Sequence, residues 1–261
     1  MYDLVQAIAE ASPEALHAVL RVESAALGDR FAEPCAPAEV CDLLARSLLV
    51  HTHGVGVPSA LVPAILLAQD RAARNKRLGH LATCCLLSPD DAGLLPLMQN
   101  TLRKDLCSHD SETIAVALLT FSRVADADLC AALAPDIEAL LDRPLGSPPT
   151  LRAKAITALS RCWQSAAAAE GAEGSEGSVP AVESTTQRRE RLRALLGERH
   201  PAVLSAAAAA LRALPQFESA ARELLPELNS AQVSWPEGSG PRAAHPRPIL
   251  AVASVQRHPL V

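Results

Sequence analysis

Three groups of side chains have types and spacings that could do chemistry. His80 lies four residues before Cys84 and five before Cys85, so on a helix an imidazole and a thiol share one face, the arrangement of an activated thiolate. No oxyanion-hole glycine or orienting carboxylate is evident nearby, and the sequence favours core packing for all three. His51 and His53 are two apart with no cysteine or carboxylate at ligand spacing, which reads as two ordinary helix-end residues rather than a metal site. His109-Asp110 has the order of a metal-phosphohydrolase dyad, but no second histidine and aspartate set accompanies it. Asp110 precedes the apolar face opened by Ile114, and a helix N-cap is the better reading. The glycines of residues 171–177 have no Lys-Ser/Thr partner and follow no strand, so they do not form a phosphate-cradling loop. The sequence therefore predicts no catalytic, cofactor-binding or metal-binding residue, and no enzyme.

The remaining candidates are charges. Arg71, Arg74, Lys76 and Arg77 form the densest basic cluster, and Arg103 and Lys104 stand on the following helix. Together they could meet an acidic partner or an anionic headgroup, or simply form a solvated ridge between helices. Arg188, Arg189, Arg191 and Arg193 form a second basic run, which reads as a charged helix face. The formal net charge is -5, which provides no overall basic field for a polyanion, so nucleic acid is not an expected partner. Seven cysteines, an odd number without a CxxC pair, read as reduced and buried. Met1-Tyr2-Asp3 opens no basic-then-apolar leader, and no stretch reaches the ~18 apolar residues of a membrane span, so a soluble, unsecreted chain is expected.

The elements that would carry these residues are all helical. Apolar content is 49% with aromatics at 2%, so the apolar residues are mostly Ala, Leu and Val. Ser12-Pro13-Glu14 combines an N-cap with proline at the first helical position, ahead of Leu16, Val19, Leu20 and Leu27. After Pro34 and Pro37 the helical spacing returns at Val40, Leu43, Leu44, Ser47 and Leu48, and it ends near His51. Residues 58–69 are apolar with an ambiguous first turn at Pro63, and a further helix is predicted from about Asn75 to Leu87. Ser88-Pro89-Asp90-Asp91 gives the clearest start signal, before Leu95, Met98, Leu102 and Leu106. Apolar stripes then recur at Ile114, Ala117, Leu118, Phe121 and Ala125, at Leu133, Ile137, Leu140 and Leu141, and at Leu151, Ala155, Leu159 and Cys162.

The pattern divides the chain into a helical-repeat trunk over residues 1–164, a low-complexity flexible insertion over 165–186, continuing helical repeats over 187–229, and a disordered tail over 230–261. Helices with one apolar stripe and short connections bury those stripes by stacking in pairs, and a pair every ~40 residues is the HEAT-like period. The predicted fold is all-α, an α-solenoid of HEAT/armadillo-like repeats. Two successive four-helix bundles would satisfy the same periodicity.

Four segments, in order, carry a family resemblance. Asn75-Lys76-Arg77-Leu78-Gly79-His80-Leu81 resembles the Lys-Arg-aliphatic-Gly-Tyr-Leu motif of the large subunits, or adaptins, of heterotetrameric clathrin-type adaptor complexes, with His80 where the family has Tyr. Asn100-Thr101-Leu102-Arg103-Lys104-Asp105-Leu106 resembles the family's Asn-x-aliphatic-x-Lys-Asp-Leu. Leu151-Arg152-Ala153-Lys154-Ala155 is similar to its Leu-Arg-Lys-Lys-Ala, and His200-Pro201-Ala202-Val203 to its Asp-Pro-x-Val. The opening Asp3-Leu4-Val5-Gln6-Ala7-Ile8 also looks like an adaptin start. The glycine after Lys-Arg suits the alpha, gamma, delta or epsilon class better than beta, and epsilon is favoured.

The resemblance implies a protein-binding scaffold of vesicle-mediated transport whose partners are the small, medium and second large adaptor subunits. It further implies contact with an Arf-type GTPase and anionic membrane lipid through the assembled complex, and a cytoplasmic location on Golgi, trans-Golgi or endosomal membranes. The segment from Asp3 to Arg30 is poorer in Lys and Arg than the family's membrane-docking patches. An unrelated HEAT-like scaffold is the alternative on the sequence alone, and an enzyme whose site lies outside the chain is a third.

Overall fold

The computed structural model describes residues 2–142, 148–170, 185–198, 200–214, 217–224 and 226. Among them there is no strand. The helices are α1 (Tyr2–Glu10), α2 (Pro13–Phe31), α3 (Pro37–Thr52), α4 (Leu61–Leu67), α5 (Ala73–Leu86), α6 (Leu95–Leu106), α7 (Ser111–Val124), α8 (Ala127–Leu141), α9 (Pro149–Glu170), α10 (Thr185–Leu196), α11 (Pro201–Leu211) and α12 (Phe217–Glu223). Short 3₁₀ turns, Pro58–Ala60 and Pro89–Leu94, precede α4 and α6.

The helix starts follow from capping chemistry. Ser12 Oγ accepts from the Ala15 amide at 3.3 Å, and Asp110 accepts from the Glu112 and Thr113 amides at 3.3 and 3.1 Å. Asp126 and His200 do the same for α8 and α11. Each side chain satisfies backbone donors that the first turn leaves without partners. The Ser88-Pro89-Asp90-Asp91 signal behaves differently from its prediction. The Ser88 amide and Oγ donate to Asp91 Oδ2 at 3.0 and 2.7 Å, and this closes a 3₁₀ turn, while α6 begins only at Leu95 with Pro96 in its first turn. Gly93 and a second proline so close to the first interrupt the α conformation before it can propagate. The expected break at Ser165 also moves, since α9 continues to Glu170. The run of alanines at 166–169 has the highest helix propensity of any residue type, and this outweighs the loss of large apolar side chains. Residues 171–184 of the expected insertion, and the expected tail 230–261, lie outside the described residues.

Packing resolves the choice between solenoid and bundles. Sequential helices pair as hairpins, α2 with α3, α4 with α5, α6 with α7, α8 with α9 and α10 with α11. The second helices of successive hairpins then touch in order, α3 on α5, α5 on α7, α7 on α9 and α9 on α11, with α6 on α8 in the opposite layer. A repeated bundle would close each set of four helices on itself, whereas here every hairpin contacts the next, which is the nearest-neighbour stacking of an α-solenoid. The second helices begin at residues 37, 73, 111 and 149, close to the ~40-residue repeat of HEAT-type proteins. α11 does not begin until Pro201, and the extra length falls where the low-complexity tract lies.

Two apolar clusters run along the stack. One joins Leu4, Leu20, Leu27, Leu43, Leu44, Val50, Ala64, Leu67 and Ala82 in the first hairpins, and the other extends from Leu61 through Leu102, Phe121, Ile137 and Trp163 to Leu224. The stripes read from the sequence supply part of these clusters, Leu20, Leu27, Leu43, Leu44, Leu102, Phe121 and Ile137, and also Ser47, which is buried with its hydroxyl donated to the Leu43 carbonyl at 2.8 Å. No described helix is long and apolar enough to cross a membrane.

Candidate functional site

The segment Asn75–Leu81 enters α5 at its first turn, and nearly every residue of it has a separate structural task. Asn75 Oδ1 accepts from the Cys41 thiol on α3 at 3.3 Å, and its Nδ2 donates to Asp70 at 3.2 Å. Asp70 also accepts from the Ala72 amide at 2.7 Å, and the backbone bond, followed by that from Asn75, holds its carboxyl below the ordinary value. This pins the turn from α4 into α5. Gly79 then faces α4 at a distance that no side chain could occupy: a Cβ there would lie 2.2 Å from the Ala68 amide nitrogen and 2.7 Å from its Cα. The glycine is required by the approach of the two backbones.

Lys76, four residues before His80, projects from the same face toward α6. Lys76 Nζ donates to Asp105 Oδ1 at 2.6 Å, and His80 Nε2 lies 3.1 Å from Asp105 Oδ2. An ionised carboxylate only accepts, so Nε2 carries the proton in that bond. Asp105 is 3% exposed and His80 1% exposed, while the Lys76 side chain keeps 13% exposure at its edge. Burial by itself would raise the Asp105 carboxyl, but the hydrogen bonds from His80 and Lys76, with the lysine's charge, hold it below the ordinary carboxylate value. His80 Nδ1 is buried without a partner among the described residues. The two segments that resembled separate family motifs are therefore two halves of one buried charge network.

The six basic candidates divide accordingly. Lys76 points inward to Asp105, and Arg77 pairs with Glu112 at the start of α7. Arg103 donates from Nε to Asp136 at 3.2 Å and from Nη2 to the Ala132 carbonyl at 2.8 Å, beside Pro135, whose ring nitrogen has no N–H to give the preceding turn of α8. The side chains of Arg71, Arg74 and Lys104 are exposed and, among the described residues, are tied down by no side-chain hydrogen bond or ion pair. The structure thus brings three candidates into the framework and leaves three to solvent.

The thiol and imidazole of the sequence reading do not form a dyad. His80 turns to Asp105, the orienting carboxylate that the local sequence did not supply, and burial pushes the Cys84 thiol up, against the formation of a nucleophilic thiolate. His109 precedes a cap rather than a metal site, and the described residues contain no cluster of three or more His, Cys, Asp or Glu placed to hold an ion.

Sequence reasoning missed the apolar surface. Val62 and Leu66 on α4 are 43% and 60% exposed, and Leu66 borders a groove of about 390 Å³ that Phe31, Pro37, Val40, Pro63 and Leu67 also line. The signal was present as an α4 segment apolar on all sides, Leu61-Val62-Pro63-Ala64-Ile65-Leu66-Leu67, whose inner stripe needs only half of those residues.

Known proteins are similar to parts of this sequence. Over 114 residues the chain is 33% identical to AP-1 complex subunit gamma-like 2 of Homo sapiens, covering 43% of this chain and 14% of that protein. It is 29% identical over 161 residues to AP-4 complex subunit epsilon of Arabidopsis thaliana, covering 61% of this chain and 17% of that protein, and 28% identical over 119 residues to AP-2 complex subunit alpha-1 of the same plant, covering 46% and 12%. The aligned stretches thus span less than a fifth of each relative's length. The sequence profile of the family described as "Adaptin N terminal region" matches residues 22–234, which takes in both motif segments and the stack from the second half of α2 to α12, and the chain belongs to that family.

Proposed function

We propose that this chain is a section of the trunk of an adaptor-complex large subunit and acts as a protein-binding scaffold in vesicle-mediated intracellular protein transport. The observation that carries this reading is the family match over residues 22–234, on a stack whose motif residues brace the framework. Its partners are the small, medium and second large subunits, and an Arf-type GTPase and anionic lipid are reached through the assembled complex. The chain works as a cytoplasmic protein peripheral to Golgi, trans-Golgi or endosomal membranes. Within the family we favour the epsilon class, because the stretch aligned with the epsilon subunit is longer than those aligned with the gamma-like and alpha subunits.

Binding rather than catalysis fits the chemistry present. His80 and Asp105 are consumed by one buried network, and Cys84 is held as a thiol. Exposed Val62, Leu66, Leu81, Leu97 and Leu119 offer apolar area to partners, and Arg71, Arg74 and Lys104 offer charge. The experiment is to reverse those three cations together, Arg71→Glu, Arg74→Glu and Lys104→Glu, and to measure binding to each class of small subunit and to vesicles containing phosphoinositide. The expected result is at least a tenfold loss for one of these ligands with an unchanged melting temperature. Unaltered binding to all of them would remove the three residues from the interface, and absence of any adaptor-subunit binding by the parent chain would contradict the function.

A further inference from the structure

The second helices of the hairpins leave one face open. α5, α7 and α9 each pack on the first helix of their own hairpin and on the second helices to either side, so the face turned away from the first layer meets solvent. The three begin 38 residues apart and, as second members of successive antiparallel hairpins, run in the same direction, so residues at equal positions along them stand side by side. Leu81, Leu119 and Thr157 are the ninth residues of α5, α7 and α9, and all are exposed, the leucines by 54% and 50%. The Thr157 hydroxyl is already donated to the Ala153 carbonyl of its own helix at 3.0 Å. One turn further on stand Cys85, Arg123 and Arg161, also exposed. Among the described residues no side-chain hydrogen bond or ion pair ties either arginine down. Two carboxylates beside α7 are engaged elsewhere: Asp126 caps α8 by accepting from the Leu129 amide at 2.8 Å, and Glu112 pairs with Arg77.

We propose that this face of α5, α7 and α9 is an interaction surface for an amphipathic helix of a partner protein, apolar along one stripe and acidic along the adjoining flank. Packed helices lie about 8 to 10 Å apart, and seven residues of an α-helix rise about 10.5 Å, so a helix laid across the layer sets apolar residues i and i+7 over Leu81 and Leu119. Arg123 and Arg161 repeat at the same interval on one side of that row, within reach of carboxylates spaced likewise on the helix flank. The leucines supply the apolar contact, as in other grooves that take a helix, and the arginines set its orientation and repel basic segments. Charge selects the occupant. The chain is acidic overall, with a formal net charge of -5, yet this face is cationic at Arg123 and Arg161. A second copy docked through the same face would set arginines against arginines. A bilayer surface calls for a larger apolar area than two half-exposed leucines, and no aromatic residue stands in either row to anchor one. Recognition of this kind depends on the helix layer alone and is measured without any adaptor subunit, so its failure leaves the adaptor function untouched.

Cys85 gives the readout. It is exposed one turn from Leu81, whereas Cys107 is exposed at the end of α6 in the other layer, and both depart from the burial that the sequence suggested for the cysteines. The full chain is treated with a thiol-alkylating reagent in the presence of a synthetic peptide of about 18 residues, leucine along one stripe and glutamate along one flank, which at ~1.5 Å per residue spans three packed helices. The expected result is alkylation of Cys85 slowed at least tenfold with Cys107 unchanged, and no slowing by the same peptide carrying lysine in place of glutamate. In the double variant Arg123→Glu, Arg161→Glu the preference should reverse, with the lysine peptide protecting Cys85 and the glutamate peptide losing at least tenfold in affinity. Unfolding cannot produce that gain. Leu81→Ser combined with Leu119→Ser should abolish protection by the glutamate peptide. Equal protection by the two peptides, or none by the glutamate peptide, would overturn the proposal. So would protection of Cys85 that rises with protein concentration in the absence of peptide, which would assign the face to a second copy, or protection by phosphatidylserine vesicles in place of the peptide, which would assign it to a membrane.

Discussion

Asp105 shows what a single buried carboxylate does in this fold. It receives Lys76 and His80, both from α5, so one side chain on α6 fixes the lateral position of the neighbouring hairpin. Replacing it with alanine leaves Lys76 beside an emptied, mostly buried site, and breaking such a pair costs on the order of 3 to 5 kcal/mol. The edge exposure of Lys76 lets its ammonium reach water, so we expect the lower end of that range for Asp105→Ala and less for Asp105→Asn, measured by denaturant titration. The same group sets a pH dependence. Its folded-state value is depressed, so its stabilisation is fully present above the unfolded carboxylate value of about 3.9 and is lost as pH falls through that value toward the folded one. Asp105→Asn should flatten that part of the acid limb of a stability-versus-pH curve, and an unchanged limb would show that the carboxyl is not linked to folding. Gly79→Ala should destabilise by roughly 1 to 3 kcal/mol although alanine is the better helix former by about 1, because the added methyl meets the α4 backbone rather than a movable side chain. A gain in melting temperature would contradict the close approach.

Helix boundaries were legible wherever the capping chemistry is local. Ser12 and Asp110 each cap the helix that their sequence announces, while His200 caps α11 without having been read as a cap. Ser88 was misread because its hydrogen bonds to Asp91 are the same in a 3₁₀ turn as in an α-helix start, and Gly93 with the second proline at 96 decides between them. Buried stripes were legible too: Leu95, Met98, Leu102 and Leu106 all face inward on α6. The charges on that helix were not. Arg103 and Lys104 are neighbours in sequence and both exposed, yet Arg103 bridges to α8 and Lys104 does not, since that difference depends on where α8 lies. Substitutions along α6 should separate the roles. Leu102→Ala should lose about 2 to 5 kcal/mol, while Lys104→Glu should stay within about 0.5 kcal/mol of the parent in thermal or denaturant unfolding. Equal effects at the two positions would mean that the inner face of α6 is misassigned.

Stacked hairpins have a consequence for the assembly. Each buries its apolar stripe only against its neighbours, so the ends and the outer layer keep apolar side chains such as Val22, Val62 and Leu66 exposed. The repeat of apolar stripes near 40 residues favoured this stacking, and the contacts between successive hairpins decide it against closed bundles. The inward turn of Lys76 was not, because its partner Asp105 is distant in sequence and no spacing rule connects them. A scaffold with such surfaces is expected to be fully soluble only with a partner covering them, and under the proposed function that partner is a small adaptor subunit. The most direct measurement is light scattering on the chain co-expressed with a small adaptor subunit and purified by size exclusion. A single species with the mass of a one-to-one complex is predicted for the cognate class, with the chain alone forming oligomers or aggregates. A monodisperse chain that co-purifies with no small subunit of any class would contradict the scaffold function.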